Sequence, residues 1–185
     1  MPRLGTVNPD TAEPAAKALL DKVERALGVT PNMMRAMATS PAVLDGYLSF
    51  SGSLAKGTLG AALREQIALV TAVENSCDYC YAAHHVLGAK AGVSPADLAS
   101  GGHAQAADPK AAAALRFARA VIRSKGFVSD EEIDIVRAAG YGDGEIGEIV
   151  GAVALNTFTN YFNSVGRTEI DFPVVALPES EVATA

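Results

Sequence analysis

The chain has 185 residues, of which 49% are hydrophobic and 19% charged, and a net charge of −6. A chain of this length and apolar content can bury a core without disulfides or structural metals, and it is too apolar to stay disordered. Its acidity provides no electrostatic footprint for nucleic acid or for an anionic membrane surface, so neither is expected as a partner.

Helical signals follow one another along almost the whole sequence. Residues 11–27 carry apolar positions at helical spacing (Ala15, Ala18, Leu19, Val23, Ala26, Leu27), and Gly28 supplies the stop. Thr30-Pro31 opens a short helix through Met37, and Ser40-Pro41 opens another through Ala55. A segment rich in helix formers runs from Thr58 or Gly60 to about Val73, followed by the polar break Glu74-Asn75-Ser76. The next helix spans 77–91 and ends at Gly92, and Ser94-Pro95 starts a short turn before a loop over 100–108.

Asp108-Pro109 begins an Ala-dense helix to Lys125, and Ser129 with Glu132 forms a capping box for a helix that ends near Gly140. A long helix then runs from Asp143 or Gly144 to about Val165. The tail from Thr168 contains Pro173 and Pro178 and reads as extended. No stretch alternates long enough to predict a sheet. The expected fold is therefore all-α: a helical segment over 1–40, a core over 41–167 and a tail over 168–185, making one structural domain. The helix groups 41–91 and 108–165 have similar lengths, compatible with a duplicated helical unit, although no sequence repeat marks one.

No apolar run reaches the roughly 20 residues of a membrane-spanning helix. The first ten residues lack the basic and apolar regions of a secretory signal, so the cytoplasm is the expected compartment. In a reducing compartment, two cysteines three residues apart, Cys77 and Cys80, suggest redox or metal chemistry rather than a structural staple.

A helix start favours negative charge through its unpaired N–H groups and its dipole. With Ser76 as N-cap, Cys77 falls in the first turn and is the thiol expected to ionise more readily. Cys80, one turn on, can close a disulfide onto it. His84 follows Cys80 by four residues and shares its helical face, where it can take a thiol proton. Folding the helices about Asn75 and Ser76 brings Glu65 level with His84 and His85 across the hairpin, giving a thiol, a base and a group to orient the base. His85 points about 100° away and is a secondary candidate. His103 reads as a solvated loop residue, and Met33, Met34 and Met37 as adaptable packing. Asn156, Asn160 and Asn163 form a polar stripe on an apolar helix, read as interhelical hydrogen bonding or an oligomer contact.

Glu65, eleven intervening residues, Cys77-x-x-Cys80, three more and His84 resemble the signature of the AhpD-like alkylhydroperoxidases of the carboxymuconolactone decarboxylase superfamily. Ala89-Lys90-Ala91-Gly92-Val93-Ser94 and Asn156-Thr157-Phe158-Thr159-Asn160-Tyr161-Phe162 extend the similarity to about residues 40–172. The resemblance implies a helical bundle that assembles as trimers, dimers or hexamers, and thiol-dependent reduction of a hydroperoxide substrate with no cofactor and no bound metal. It implies that Cys80 attacks the peroxide, that Glu65 and His84 relay its proton, and that Cys77 resolves the product. A dithiol reductant, thioredoxin-like or lipoyl-bearing, would restore both thiols. This order of attack conflicts with the local argument that makes Cys77 the more acidic thiol, so the attacking sulfur stays open. A lactone decarboxylase of the same superfamily, a non-catalytic redox sensor or disulfide-exchange protein, and a metal-binding structural protein are the alternative readings.

Overall fold

The protein, seen here as a computed structural model, is described over residues 1–178. Within these residues it is helical with no strand. A 3-10 turn at Pro9–Thr11 precedes α1 (Pro14–Leu27), α2 (Asn32–Met37), α3 (Pro41–Leu54), α4 (Ala61–Glu74) and α5 (Asp78–Lys90). The chain continues through α6 (Pro95–Gly101), α7 (Pro109–Arg123), α8 (Asp130–Ala138) and α9 (Asp143–Gly166). Proline occupies the first helical turn of α1, α3, α6 and α7, where its missing N–H costs nothing. The capping box holds: Ser129 Oγ accepts from Glu132 N–H, and the Glu132 carboxylate accepts from Ser129 N–H.

Besides the first helix, which starts at Pro14 rather than at residue 11, three boundaries differ from the expectation. Pro31 is the N-cap of α2 rather than its first helical residue. The turn expected at Ser94-Pro95 continues as a two-turn helix to Gly101, because Ser94 Oγ caps it by accepting from Asp97 N–H at 3.0 Å. The third difference, at Cys77, lies in the site.

The centre of the molecule is α4, buried all round from Gln66 to Val73. A helix with no polar face must be covered on every side. Leu69 and Val73 join one apolar cluster with Leu20 of α1, Met33, Met34 and Met37 of α2, Leu44 of α3 and Tyr79 of α5. Ile67 and Val70 join a second cluster with Leu115 and Phe117 of α7, Val136 of α8 and Ile149 of α9. The methionines are packing residues, as their spacing suggested. The Glu148 carboxylate on α9 accepts from Thr58 N–H and Leu59 N–H, both at 2.9 Å, and so fixes the approach to α4. At the other end of α4, Glu74 takes two hydrogen bonds of 2.8 Å from Arg123 on α7.

The segment after α9 is extended to residue 178, and it is tied down. Asp171 Oδ2 accepts from Asn32 N–H at 2.7 Å at the start of α2, and Phe172 packs edge-on against Tyr79 with ring centroids 5.7 Å apart. The rest of the expected extended tail, 179–185, lies outside the described residues.

Candidate active site: a dithiol beside a carboxylate–imidazole pair

The reversal between α4 and α5 takes three residues. Asn75 closes α4, Ser76 adopts the left-handed conformation with φ 53°, and Cys77 N–H returns to Ala72 C=O at 2.8 Å. A left-handed non-glycine residue costs roughly 1–2 kcal/mol, which the tight hairpin imposes here. Because Ser76 is used in the turn, it does not cap α5. Cys77 does, with Sγ accepting from Cys80 N–H at 3.3 Å. The sequence reading of Ser76 as N-cap and Cys77 as a first-turn residue is thus one position out.

The order of acidity also differs from the expectation, although the cap bond by itself lowers Cys77. Cys80 is lowered to about 7, first by a hydrogen bond from Cys77, against the opposing effect of burial, and then by the charge of His84 and the amides of Asn163 and Asn160. Cys77 moves up, because it serves as the donor to Cys80 and because it is buried. The surroundings therefore favour ionisation of Cys80 over Cys77. Both thiols are reduced and buried, with 3% of Cys77 and 2% of Cys80 exposed.

The hairpin brings Glu65 to His84 as expected, with Oε2 2.7 Å from Nδ1. The two side chains remain 23% and 19% exposed, so solvent still reaches the pair. Burial disfavours a proton on His84, but the Glu65 carboxylate, the Cys80 charge and Asn156 together raise its pKa. One turn beyond His84, Gly88 marks the place where α5 passes close to Leu98 of α6. A Cβ there would sit 3.6 Å from Glu65 Cβ and 2.8 Å from Leu98 Cδ2, the latter inside contact distance. His85 faces elsewhere, edge-on to Tyr81 at 5.4 Å. His103 ends the turn after α6, where its carbonyl accepts from Arg119. Among the described residues no three His, Cys, Asp or Glu side chains are grouped to hold a metal ion.

The asparagine stripe is where sequence reading fell short. All three residues are buried inside the bundle rather than on a free surface. Asn156 Nδ2 donates to Ala152 C=O at 2.8 Å and the residue helps raise the His84 pKa, and Asn163 Nδ2 donates to Cys80 Sγ at 3.2 Å and to Met33 Sδ at 3.1 Å. Asn160 Oδ1 accepts from Asn75 Nδ2 at 3.0 Å, which is the interhelical bonding expected of the stripe. The sequence signal was the polar row itself; its target, some 80 residues away, was not readable from spacing.

A cavity of about 320 Å³ opens beside the relay. Its walls include Met33 and Met34 of α2, Tyr47 of α3, Tyr79 of α5 and Phe172 of the tail, with Glu65 and His84 at one side. Neither cysteine lines it, so a molecule in the cavity meets the carboxylate–imidazole pair first. Burial, with the nearby Glu65 charge, pushes the Tyr47 phenol up to about 12, so its hydroxyl stays a hydrogen-bonding group.

Comparison with known proteins bears on the fold. The carboxymuconolactone decarboxylase family model matches residues 41–120. That segment is similar to the family. It runs from α3 into α7 and contains Glu65, both cysteines and His84, but it stops short of α9 and its asparagines. A comparison with curated proteins found no match. Solved structures extend the likeness over the fold. An AhpD-core, peroxidase-related protein from Ralstonia eutropha JMP134 is 20% identical, covers 92% of each chain and superposes with a TM-score of 0.84. A peroxidase-related protein from Silicibacter sp. TM1040 is also 20% identical, over 91% of this chain and 94% of its own, with a TM-score of 0.76. The debrominase Bmp8, solved as a cysteine-to-alanine variant with 2,3,4-tribromopyrrole, is 19% identical over 91% of each chain, with a TM-score of 0.79. The fold is thus the AhpD-like helical bundle.

Proposed function

We propose that the protein is a thiol-dependent hydroperoxide reductase that cycles Cys77 and Cys80 between dithiol and disulfide. The observation that carries this reading is the arrangement on one hairpin: a thiol lowered to about 7 with a second thiol as its hydrogen-bond donor, beside an imidazole held by a carboxylate 2.7 Å away. Structural cysteines have no need of such a neighbourhood.

In the first step Cys80 thiolate attacks the terminal oxygen of the hydroperoxide. The S–O bond forms, the O–O bond breaks, and the departing alkoxide takes a proton from His84, leaving an alcohol and a sulfenic acid on Cys80. Cys77 thiol then attacks the Cys80 sulfur; the S–S bond forms and the oxygen leaves as water. An external dithiol reduces the disulfide by two electrons and is itself oxidised. Glu65 orients His84 and balances its charge. No further cofactor enters the cycle. The reading assigns the enzyme to the cytoplasm, where thiols stay reduced. It also includes a homo-oligomer, supported by the exposed side chains of Phe158, Tyr161 and Val165 on α9.

A volume of about 320 Å³ is roughly ten times the share of one water in the liquid, which favours an organic hydroperoxide over hydrogen peroxide. The same aromatic walls favour a second reading, a halogenated ring. Reductive dehalogenation draws on the same dithiol: carbon–halogen is replaced by carbon–hydrogen, halide leaves, and the disulfide forms.

The decisive experiment adds one equivalent of an organic hydroperoxide to reduced protein and follows the cysteines by differential alkylation and peptide mass spectrometry. The expected result is a rapid, dithiol-reversible Cys77–Cys80 disulfide with stoichiometric alcohol. Thiols that stay reduced overturn the peroxidase reading, and halide release from a brominated ring in the same assay replaces it with the second.

A further inference from the structure

Two buried amide atoms on α9 have no hydrogen-bond partner, Asn160 Nδ2 and Asn163 Oδ1. Asn160 is fully buried and Asn163 is 4% exposed. Leaving a buried polar atom unpaired costs about 1–3 kcal/mol, and asparagine is no better than neutral within a helix. Two such atoms side by side therefore need a reason. Both belong to amides at Cys80: Asn163 places its Nδ2 3.2 Å from the sulfur, and Asn160 lies near enough to help lower the thiol without a hydrogen bond formed from its Nδ2. One orphan is a donor and the other an acceptor.

A thiolate cannot satisfy both, because it has no hydrogen to give. The group that the proposed cycle forms on this sulfur can. A sulfenic acid, S–O–H, adds one acceptor oxygen and one donor hydrogen at the place where the amides leave one donor and one acceptor free. We propose that Asn160 and Asn163 form a receptacle for the sulfenic acid of Cys80, in which Asn160 Nδ2–H donates to the new oxygen and the new O–H donates to Asn163 Oδ1. The remaining atoms of both amides are already fixed. Asn160 Oδ1 is held by Asn75 at the hairpin turn, and Asn163 Nδ2 by the sulfurs of Cys80 and Met33. The receptacle is therefore preorganised, and no side chain has to turn when oxygen arrives.

The inference rests on the peroxidase reading, since it concerns that reading's intermediate. Its consequence is protection. Sulfenic acid passes to sulfinic acid by attacking a second peroxide with its sulfur lone pair, the more readily when ionised. An O–H held by Asn163 Oδ1 stays protonated, so Cys77 has time to close the disulfide.

The test uses the full chain carrying Cys77→Ser, which removes the resolving thiol. The parent and its Asn160→Leu and Asn163→Leu derivatives are treated with one equivalent of cumene hydroperoxide. Sulfenic acid on Cys80 is followed by intact mass and by dimedone labelling. Each asparagine variant is expected to shorten the sulfenic-acid lifetime, and to raise the sulfinic fraction under excess peroxide, by about five- to tenfold, the worth of one buried hydrogen bond. Circular dichroism checks folding, and Asn160→Ser replaces the leucine variant if that fails to fold. Equal lifetimes in folded variants overturn the receptacle while leaving the peroxidase reading intact. A parent that forms no sulfenic acid at Cys80 overturns both.

Discussion

The α4–α5 hairpin and helix α9 meet at the same sulfur atom, yet they differ in how their contributions are encoded. The hairpin delivers Glu65, Cys77, Cys80 and His84 from within 20 residues of chain, at spacings set by helix geometry and one turn. Helix α9 delivers three amides from some 80 residues away, at a face chosen by packing on α4. The first contribution supplies charge and nucleophilicity, and the second surrounds them with neutral dipoles. Chemistry written locally and support supplied from a distance can therefore be separated by mutation.

The largest effect is expected within the hairpin. Cys80→Ser should abolish hydroperoxide turnover, whereas Cys77→Ser should oxidise once and stop; steady-state peroxide consumption with mass analysis of both peptides distinguishes them. If Cys80→Ser still turns over, the nucleophile has been misassigned and the hairpin's order of roles must be exchanged. Next come the relay residues. Glu65→Gln or His84→Gln should slow the single-turnover step by about 10²-fold if His84 moves a proton in it. Wild-type rates in both would remove the relay from the mechanism and leave the hairpin with only its thiols.

The pH profile sharpens the comparison. Cys80 ionises near 7 and reacts above that pH, while His84, raised above its ordinary 6.5, must keep its proton to serve the leaving oxygen. Turnover should therefore rise with pH through about 7 and fall once His84 deprotonates. Cys77→Ala removes the largest cause of the lowered thiol and should move the iodoacetamide-reactivity midpoint of Cys80 upward; an unmoved midpoint would transfer that role to His84 and α9. The smallest effects are structural. Gly88→Ala must push α5 away from Leu98 and should cost about 1–3 kcal/mol in chemical denaturation, with partial loss of the His84 protonation shift by NMR. Should stability fall while that shift survives, the close approach at Gly88 serves packing alone.

The contrast also explains what could be read in advance. Helix order, most caps and the stop signals followed from proline, glycine and capping residues acting on their immediate neighbours. Glu65 could be matched to His84 because an antiparallel hairpin leaves little freedom once its turn is located. The cap of α5 slipped by one residue because cap preferences do not say which residue will be spent in the left-handed position of a turn. Ser76 was, and Cys77 inherited the cap. The acidity order was set instead by contacts between the two thiols and with His84 and α9, which no cap rule reads. The asparagine row was visible as a polar stripe, but α9 lies outside the matched family segment, and no local rule says which helix will cover it.

The distribution of aromatic residues gives the molecule a built-in optical reporter. The chain has no tryptophan and five tyrosines, and three of these belong to the site: Tyr79 and Tyr81 flank Cys80, and Tyr47 lines the cavity. Tyrosine emission is quenched by nearby disulfides and shifts with ring packing, and Tyr79 leans on Phe172 of the C-terminal segment. Unlabelled protein should therefore signal, in one fluorescence trace, the redox state of its cysteines and the docking of the segment that follows α9.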